Sequence, residues 1–141
     1  MSIDCLFCGI VQKKIPAQII AESADSIAFL DIHPLSPGHT VVVPKLHCER
    51  LNELPPVVAG PLLLTVKQVS AIIQSTLEPD GFTIGINDGV LAGQGVAHLH
   101  VHVIPRWRGD GGSNLHSIVH NPLTESIEAI ATRLKHAPIA D

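Results

Sequence analysis

His98-Leu99-His100-Val101-His102-Val103-Ile104 alternates imidazole with aliphatic groups and stops at Pro105. On a β-strand, residues two apart point to the same side. The segment therefore predicts a strand with His98, His100 and His102 on one face and Leu99, Val101 and Val103 on the other, packed against a core. Ordinary solvated strand faces draw on Thr, Ser, Lys and Glu. One titratable type used three times points instead to a cleft lined for chemistry. A single metal ion shared by all three is poorly served. A rise of about 3.3 Å per residue sets the Cα atoms of His98 and His102 roughly 13 Å apart, whereas zinc–nitrogen bonds are about 2.0–2.1 Å. A division of labour fits better, with an end histidine on a metal and the central one doing chemistry. Neutral imidazole attacks phosphorus when one ring nitrogen is free and the other holds its proton against an acceptor.

Just before this row, Asn87-Asp88-Gly89 to Gly93-Gln94-Gly95 forms a glycine-rich loop whose backbone can approach an anion closely. Further out, Ile19–Glu22, Ser26–Ile32, His39–Val43 and Phe82–Asn87 read as strands, separated by the polar turn Ser23-Ala24-Asp25 and by the turn His33-Pro34-Leu35-Ser36-Pro37-Gly38. Leu62, Val66, Val69 and Ile73 recur at helical spacing over 61–77, with Pro61 in the first turn. Shorter helices are predicted over 5–13, capped by Asp4, and over 123–136, with Ile127, Ile130 and Leu134 on one face. Trp107 to Gly112 reads as a surface loop. The predicted class is α+β: an antiparallel sheet of about five strands with a central helix and terminal helices.

Composition bounds the rest. The chain has 141 residues, 45% of them hydrophobic and 16% charged, enough for one cored domain spanning 1–141. Nine Lys and Arg against thirteen Asp and Glu leave a net charge of −4, which argues against a protein built to hold a nucleic-acid polymer. The apolar stretch Pro55 to Val66 is closed by Lys67 and is too short to span a bilayer. Met1 to Cys5 lacks the pattern of a signal peptide, so a cytoplasmic protein without a membrane partner is expected. Three cysteines, an odd number, disfavour a disulfide scaffold.

The histidine row resembles the His-φ-His-φ-His-φ-φ signature (φ apolar) of the histidine triad (HIT) superfamily of nucleotide hydrolases and transferases. Phe29-Leu30-Asp31-Ile32, Pro37-Gly38-His39-Thr40-Val41-Val42-Val43-Pro44-Lys45, Gly85-Ile86-Asn87-Asp88-Gly89 and Ala92-Gly93-Gln94 match the family in the expected order. Together they cover a core of about 5–108, leaving 109–141 as a variable tail with a helix. The resemblance implies a HIT-like fold and a homodimer. It implies that His100 attacks the α-phosphate of a purine nucleoside phosphate conjugate, a phosphoramidate or a dinucleoside polyphosphate, forming a nucleotidyl-histidine that water hydrolyses. His98, His102 and His39 would complete the catalytic site. Asp31, Ile32, Asn87, Gly93 and Gln94 would contact substrate. No organic cofactor is implied. One position departs from the pattern. After the Gln94 equivalent, Hint-like members carry Ser and Fhit-like members Thr, but here stands Gly95. The hydroxyl proposed to assist the leaving group is missing, so Gln94, a histidine or water would fill that role.

Cys5-Leu6-Phe7-Cys8 has metal-hairpin spacing, yet one CxxC is half a zinc site. Two unmetallated thiols remain open, while a thioredoxin-like pair is disfavoured because no strand precedes Cys5. Bacterial HIT proteins with an N-terminal CxxC resemble this chain and imply a structural zinc held by Cys5, Cys8, His47 and His98. Cys48 reads as a small residue packed beside His47, and His116, His120 and His136 as solvated. Two other function classes stay open: a nucleotide-binding module with incidental turnover, and a hydrolase whose histidine row carries catalytic zinc.

Overall fold

The computed structural model describes residues 4–139. Five strands form one antiparallel sheet: β1 (Ile19–Glu22), β2 (Ser26–Leu30), β3 (Thr40–Pro44), β4 (Gly81–Gly85) and β5 (Val101–Arg106), in spatial order β1-β2-β3-β5-β4. Three helices accompany it: α1 (Leu6–Val11), α2 (Pro56–Leu77) and α3 (Ile127–Lys135). The α+β class with a five-stranded antiparallel sheet and a central helix is thus the observed one.

Alternation along the strands sorts side chains into two cores. Ala28, Val42, Val101 and Val103 face α2 and join its Val58, Leu62, Val66, Val69 and Ile73. Ile27, Phe29, Val41 and Val43 face the other way and meet Phe7 and Ile10 of α1. Both sides of β3 are therefore covered, which is why Val41-Val42-Val43 is apolar without a break. A hydroxyl pair, Ser26 Oγ to Thr65 Oγ1 at 2.6 Å, pins β2 to α2 inside this core and satisfies both groups. By length and composition α2 could cross a membrane. In this fold its apolar stripe covers the sheet.

Several boundaries differ from expectation. Helix α2 starts at Pro56 rather than 61, with Pro61 inside it. Pro56 occupies the first-turn position where no amide donor is needed, and Val58 carries the buried stripe back by one turn. Cys5, not Asp4, caps α1: its Sγ accepts the Cys8 N–H at 3.4 Å. Ile15 folds across Gly9, leaving no room there for a side chain. The last helix begins at Ile127, after Ser126 has capped it by accepting the Ala129 N–H. Strand β2 ends at Leu30 because the Asp31 carboxylate accepts the His33 N–H and opens the turn. Strand β3 begins at Thr40, one residue late, and β4 spans 81–85 rather than 82–87.

The largest correction concerns the histidine row. Strand β5 starts at Val101, so His98 and His100 lie before it. The Leu99 N–H donates to Cys48 O at 2.7 Å and the His98 N–H to Val96 O at 2.8 Å, which draws this backbone off the β3 ladder. The side chains nonetheless keep their sorting, with Leu99 fully buried in the α2 core. Truncating Leu99→Ala is expected to destabilise the fold by about 2–5 kcal/mol, as measured by urea unfolding. A loss below about 1 kcal/mol would mean that the site collapses without a cavity.

Candidate functional site

The three rings of the row remain on one side of the chain. Phe7 meets His98 and His100 edge-on, at 6.0 and 5.1 Å between centroids, and the His102 ring lies 5.0 Å from that of His100. They serve two adjoining sites.

The first is a cleft of about 440 Å³, within the size range of small-molecule sites. His100, His102, Asp31, Asn87, Gly93 and Gly95 line its polar part, and Leu6, Phe7, Ile10, Ile15, Phe29, Ile32 and Val96 its apolar part. His100 is only 6% exposed, and its Nδ1–H donates to the His98 carbonyl at 2.7 Å. That bond leaves the Nε2 lone pair free for chemistry.

A second proton position follows from a chain of hydrogen bonds. The Leu35 N–H can only donate, and it donates to His39 Nδ1 at 3.1 Å. A neutral His39 ring therefore carries its proton on Nε2 and donates to His102 Nδ1 at 2.9 Å. His102 in turn holds its own proton on Nε2. Asp31 Oδ2 flanks the pair, 3.5 Å from His39 Nε2 and 4.0 Å from His102 Nδ1. Burial pushes the His39 imidazole below its ordinary value, against the pull of Asp31. Burial does the same to His102, helped by His100 and His39 and again opposed by Asp31.

The other site holds Cys5, Cys8, His47 and His98, whose ligand atoms all lie within 4.8 Å of one another. His98 is fully buried, and its Nε2–H donates to Pro44 O at 2.8 Å, turning Nδ1 toward the thiols. From Nδ1 the distances are 3.4 Å to Cys5 Sγ, 3.6 Å to Cys8 Sγ and 3.2 Å to His47 Nδ1, with 3.3 Å between Cys8 Sγ and His47 Nδ1. A tetrahedral zinc with ordinary bond lengths has ligand–ligand edges of about 3.3–3.8 Å. Two soft thiols, two imidazoles and a carbonyl orienting one ring make a donor set that fits zinc.

These placements divide the sequence-derived candidates. His100, His102, Asp31, Ile32, Asn87 and Gly93 line the cleft, and His39 backs it through His102. His98 belongs to the cysteine cluster and faces away from the cleft, so of its two expected roles the geometry matches ligation. Gln94 is absent from the lining. Its Oε1 accepts the Gly89 N–H and its Nε2 donates to Glu49 O, both at 2.8 Å, closing the loop in which Gly89 and Gly93 take positive φ. Phe7 and Ile10 went unnoticed as cleft residues, although the apolar pair inside and after CxxC on one short helix was a usable signal. Cys48 packs in the α2 core, where burial raises its thiol. His116, His120 and His136 are exposed.

The HIT domain family model matches residues 12–109. The adenosine 5'-monophosphoramidase of Schizosaccharomyces pombe is 41% identical over 103 residues, covering 73% of this chain and 74% of that protein. A HIT family protein from Bacillus subtilis superposes with a TM-score of 0.86 at 30% identity, covering 98% of this chain and 99% of its own. A zinc-bound histidine triad family protein from Mycobacterium smegmatis gives a TM-score of 0.75 at 38% identity, covering 80% and 82%.

His39 and His102 are expected to titrate below the ordinary imidazole value of 6.5. Between their folded-state midpoints and that value the unfolded chain binds more protons, so stability falls as pH falls through this window and is fully present above it. NMR titration of the ring nitrogens, paired with urea unfolding across about pH 5–8, checks both. Midpoints above 6.5 would reverse the sign.

Proposed function

From the HIT family, to which this chain belongs, we propose a nucleotidyl hydrolase or transferase that cleaves a purine nucleoside phosphate conjugate through a covalent intermediate on His100. The observation that carries this reading is the His100 Nδ1–H bond to the His98 carbonyl, which leaves Nε2 as a nucleophile at the floor of a cleft with one apolar and one polar half. The apolar half suits a purine. Asp31 suits the ribose hydroxyls, and Asn87 and Gly93 suit phosphate oxygens.

In the first half-reaction Nε2 bonds to the α-phosphorus as the bond from phosphorus to the leaving group breaks. The leaving group takes a proton from solvent as it departs, while the Nε2–H of the neutral His102 ring hydrogen-bonds to it. The Nδ1–H of His100, held by the carbonyl, stabilises the positive charge on the phosphorylated ring. The His39 Nε2–H, donated to His102 Nδ1, holds the His102 proton on Nε2. In the second half-reaction water attacks phosphorus, gives its proton to solvent and releases His100 with a nucleoside monophosphate. The phosphoramidase of Schizosaccharomyces pombe supports an adenylyl group at phosphorus and an amine as one class of leaving group.

Zinc, when bound, would crosslink α1 to the sheet through Cys5, Cys8, His47 and His98 as a closed structural site. Cysteines that form no disulfide suit a reducing cytoplasm. A hydrolase running on a metal in the histidine row is disfavoured, because His98 turns to the thiols and the Leu35 amide fixes the His39 proton on the nitrogen that faces His102. A binding module with incidental turnover would leave the His100–His102 arrangement without use.

Val57, Leu63 and Leu64 stand exposed on α2 and suit a homodimer contact. Light scattering at micromolar concentration is expected to report a dimer, and a monomer would contradict this.

Radiolabelled adenosine 5'-phosphoramidate is expected to label the protein on His100. His100→Ala should abolish labelling and lower turnover about 10⁴-fold or more. His102→Ala should cost about 10²–10⁴-fold on poor leaving groups and less on good ones. Turnover by His100→Ala near the native rate would sink the covalent route. At Gly95 a Cβ would meet nothing within 4 Å. Gly95→Ser should therefore fold normally and speed phosphoramidate cleavage about two- to tenfold by adding one donor near the leaving group.

A further inference from the structure

We propose that the Cys5–Cys8–His47–His98 cluster is energetically coupled to nucleotide binding, so that zinc and nucleotide each tighten the other's hold on the protein. This rests on the nucleotide reading of the cleft and goes beyond a merely structural metal.

Two physical links join the sites. The first runs through His98. Its ring is placed by Pro44 O and the cysteine cluster, while its main-chain carbonyl accepts the His100 Nδ1–H at 2.7 Å. A change in the seat of the His98 ring therefore acts on the acceptor that orients His100. The second runs through α1. This helix has only six residues, too few to persist alone. Cys5 caps it and Cys8 lies within it, so the two thiols fix its position. Between them Phe7 projects its ring edge-on against both His98 and His100 and, with Ile10, forms part of the apolar wall of the cleft. The helix and its cap thus carry two candidate ligands and the surface a purine would cover. Filling either site orders α1, and the ordering is then already in place for the other.

Reciprocity makes this testable without activity. The factor by which zinc tightens nucleotide must equal the factor by which nucleotide tightens zinc. Zinc affinity of the full-length protein is measured by competition with a chromophoric chelator, without and with saturating AMP. AMP affinity is measured by calorimetry on zinc-loaded protein and on chelator-stripped protein whose circular dichroism shows it folded. Both factors are expected to be about tenfold, the low end of what loss of an orienting partner costs at such sites. His47→Gln, which removes a donor remote from the cleft, should weaken AMP binding, and His47→Cys, which restores a fourth donor, should recover it. AMP binding that leaves zinc affinity unchanged overturns the coupling while sparing the nucleotide reading. If stripped protein unfolds, the competition experiment on native protein decides alone. Failure of zinc-loaded protein to bind AMP overturns both.

Discussion

His98 is where the demands of the structure meet. Its Nε2–H is committed to Pro44 O, its Nδ1 to the thiols of α1 and its carbonyl to the His100 ring. It is fully buried, and a polar side chain at that depth is tolerated only when every donor and acceptor finds a partner. The cysteine cluster, the end of β3 and the orientation of the His100 ring are therefore solutions to one hydrogen-bonding problem. Displace His98 and all three lose a partner.

The cleft applies the same economy of donors to a chain of imidazoles. Three histidines side by side would repel if charged, so burial that keeps His39 and His102 neutral is a condition for the arrangement. Neutral rings must still choose a tautomer, and a backbone amide makes the choice. The Leu35 N–H sits in a turn held between Pro34 and Pro37, and from it the proton positions on His39 and His102 follow in order. A His-to-His bond of 2.9 Å then transmits a main-chain constraint to the ring beside His100.

Much of this was legible in the linear order of residues. Alternation of histidine with Leu99, Val101 and Val103 announced a two-sided segment, and the α2 core holds those three aliphatic groups. Val41-Val42-Val43 announced a strand, and the structure covers it on both faces. Gln94 shows what the linear order leaves open: folding delivers Gly89 and Glu49 to its amide from outside any local pattern. Pro61 misled because a proline near the start of a periodic stripe is a sound first-turn signal, and here Pro56 fills that position earlier.

The amino-acid order by itself determined the periodicities, and through them the strand faces, the central helix and the set of residue types able to do chemistry, because those depend on neighbours a few positions apart. Only the tertiary structure decided where each histidine sits and what it touches. The Leu99 N–H meets Cys48 O, so the backbone leaves the ladder and His98 turns to cysteines far away in sequence, while His100 keeps its place at the cleft. That assignment comes from contacts between distant segments, whose partners no local pattern specifies.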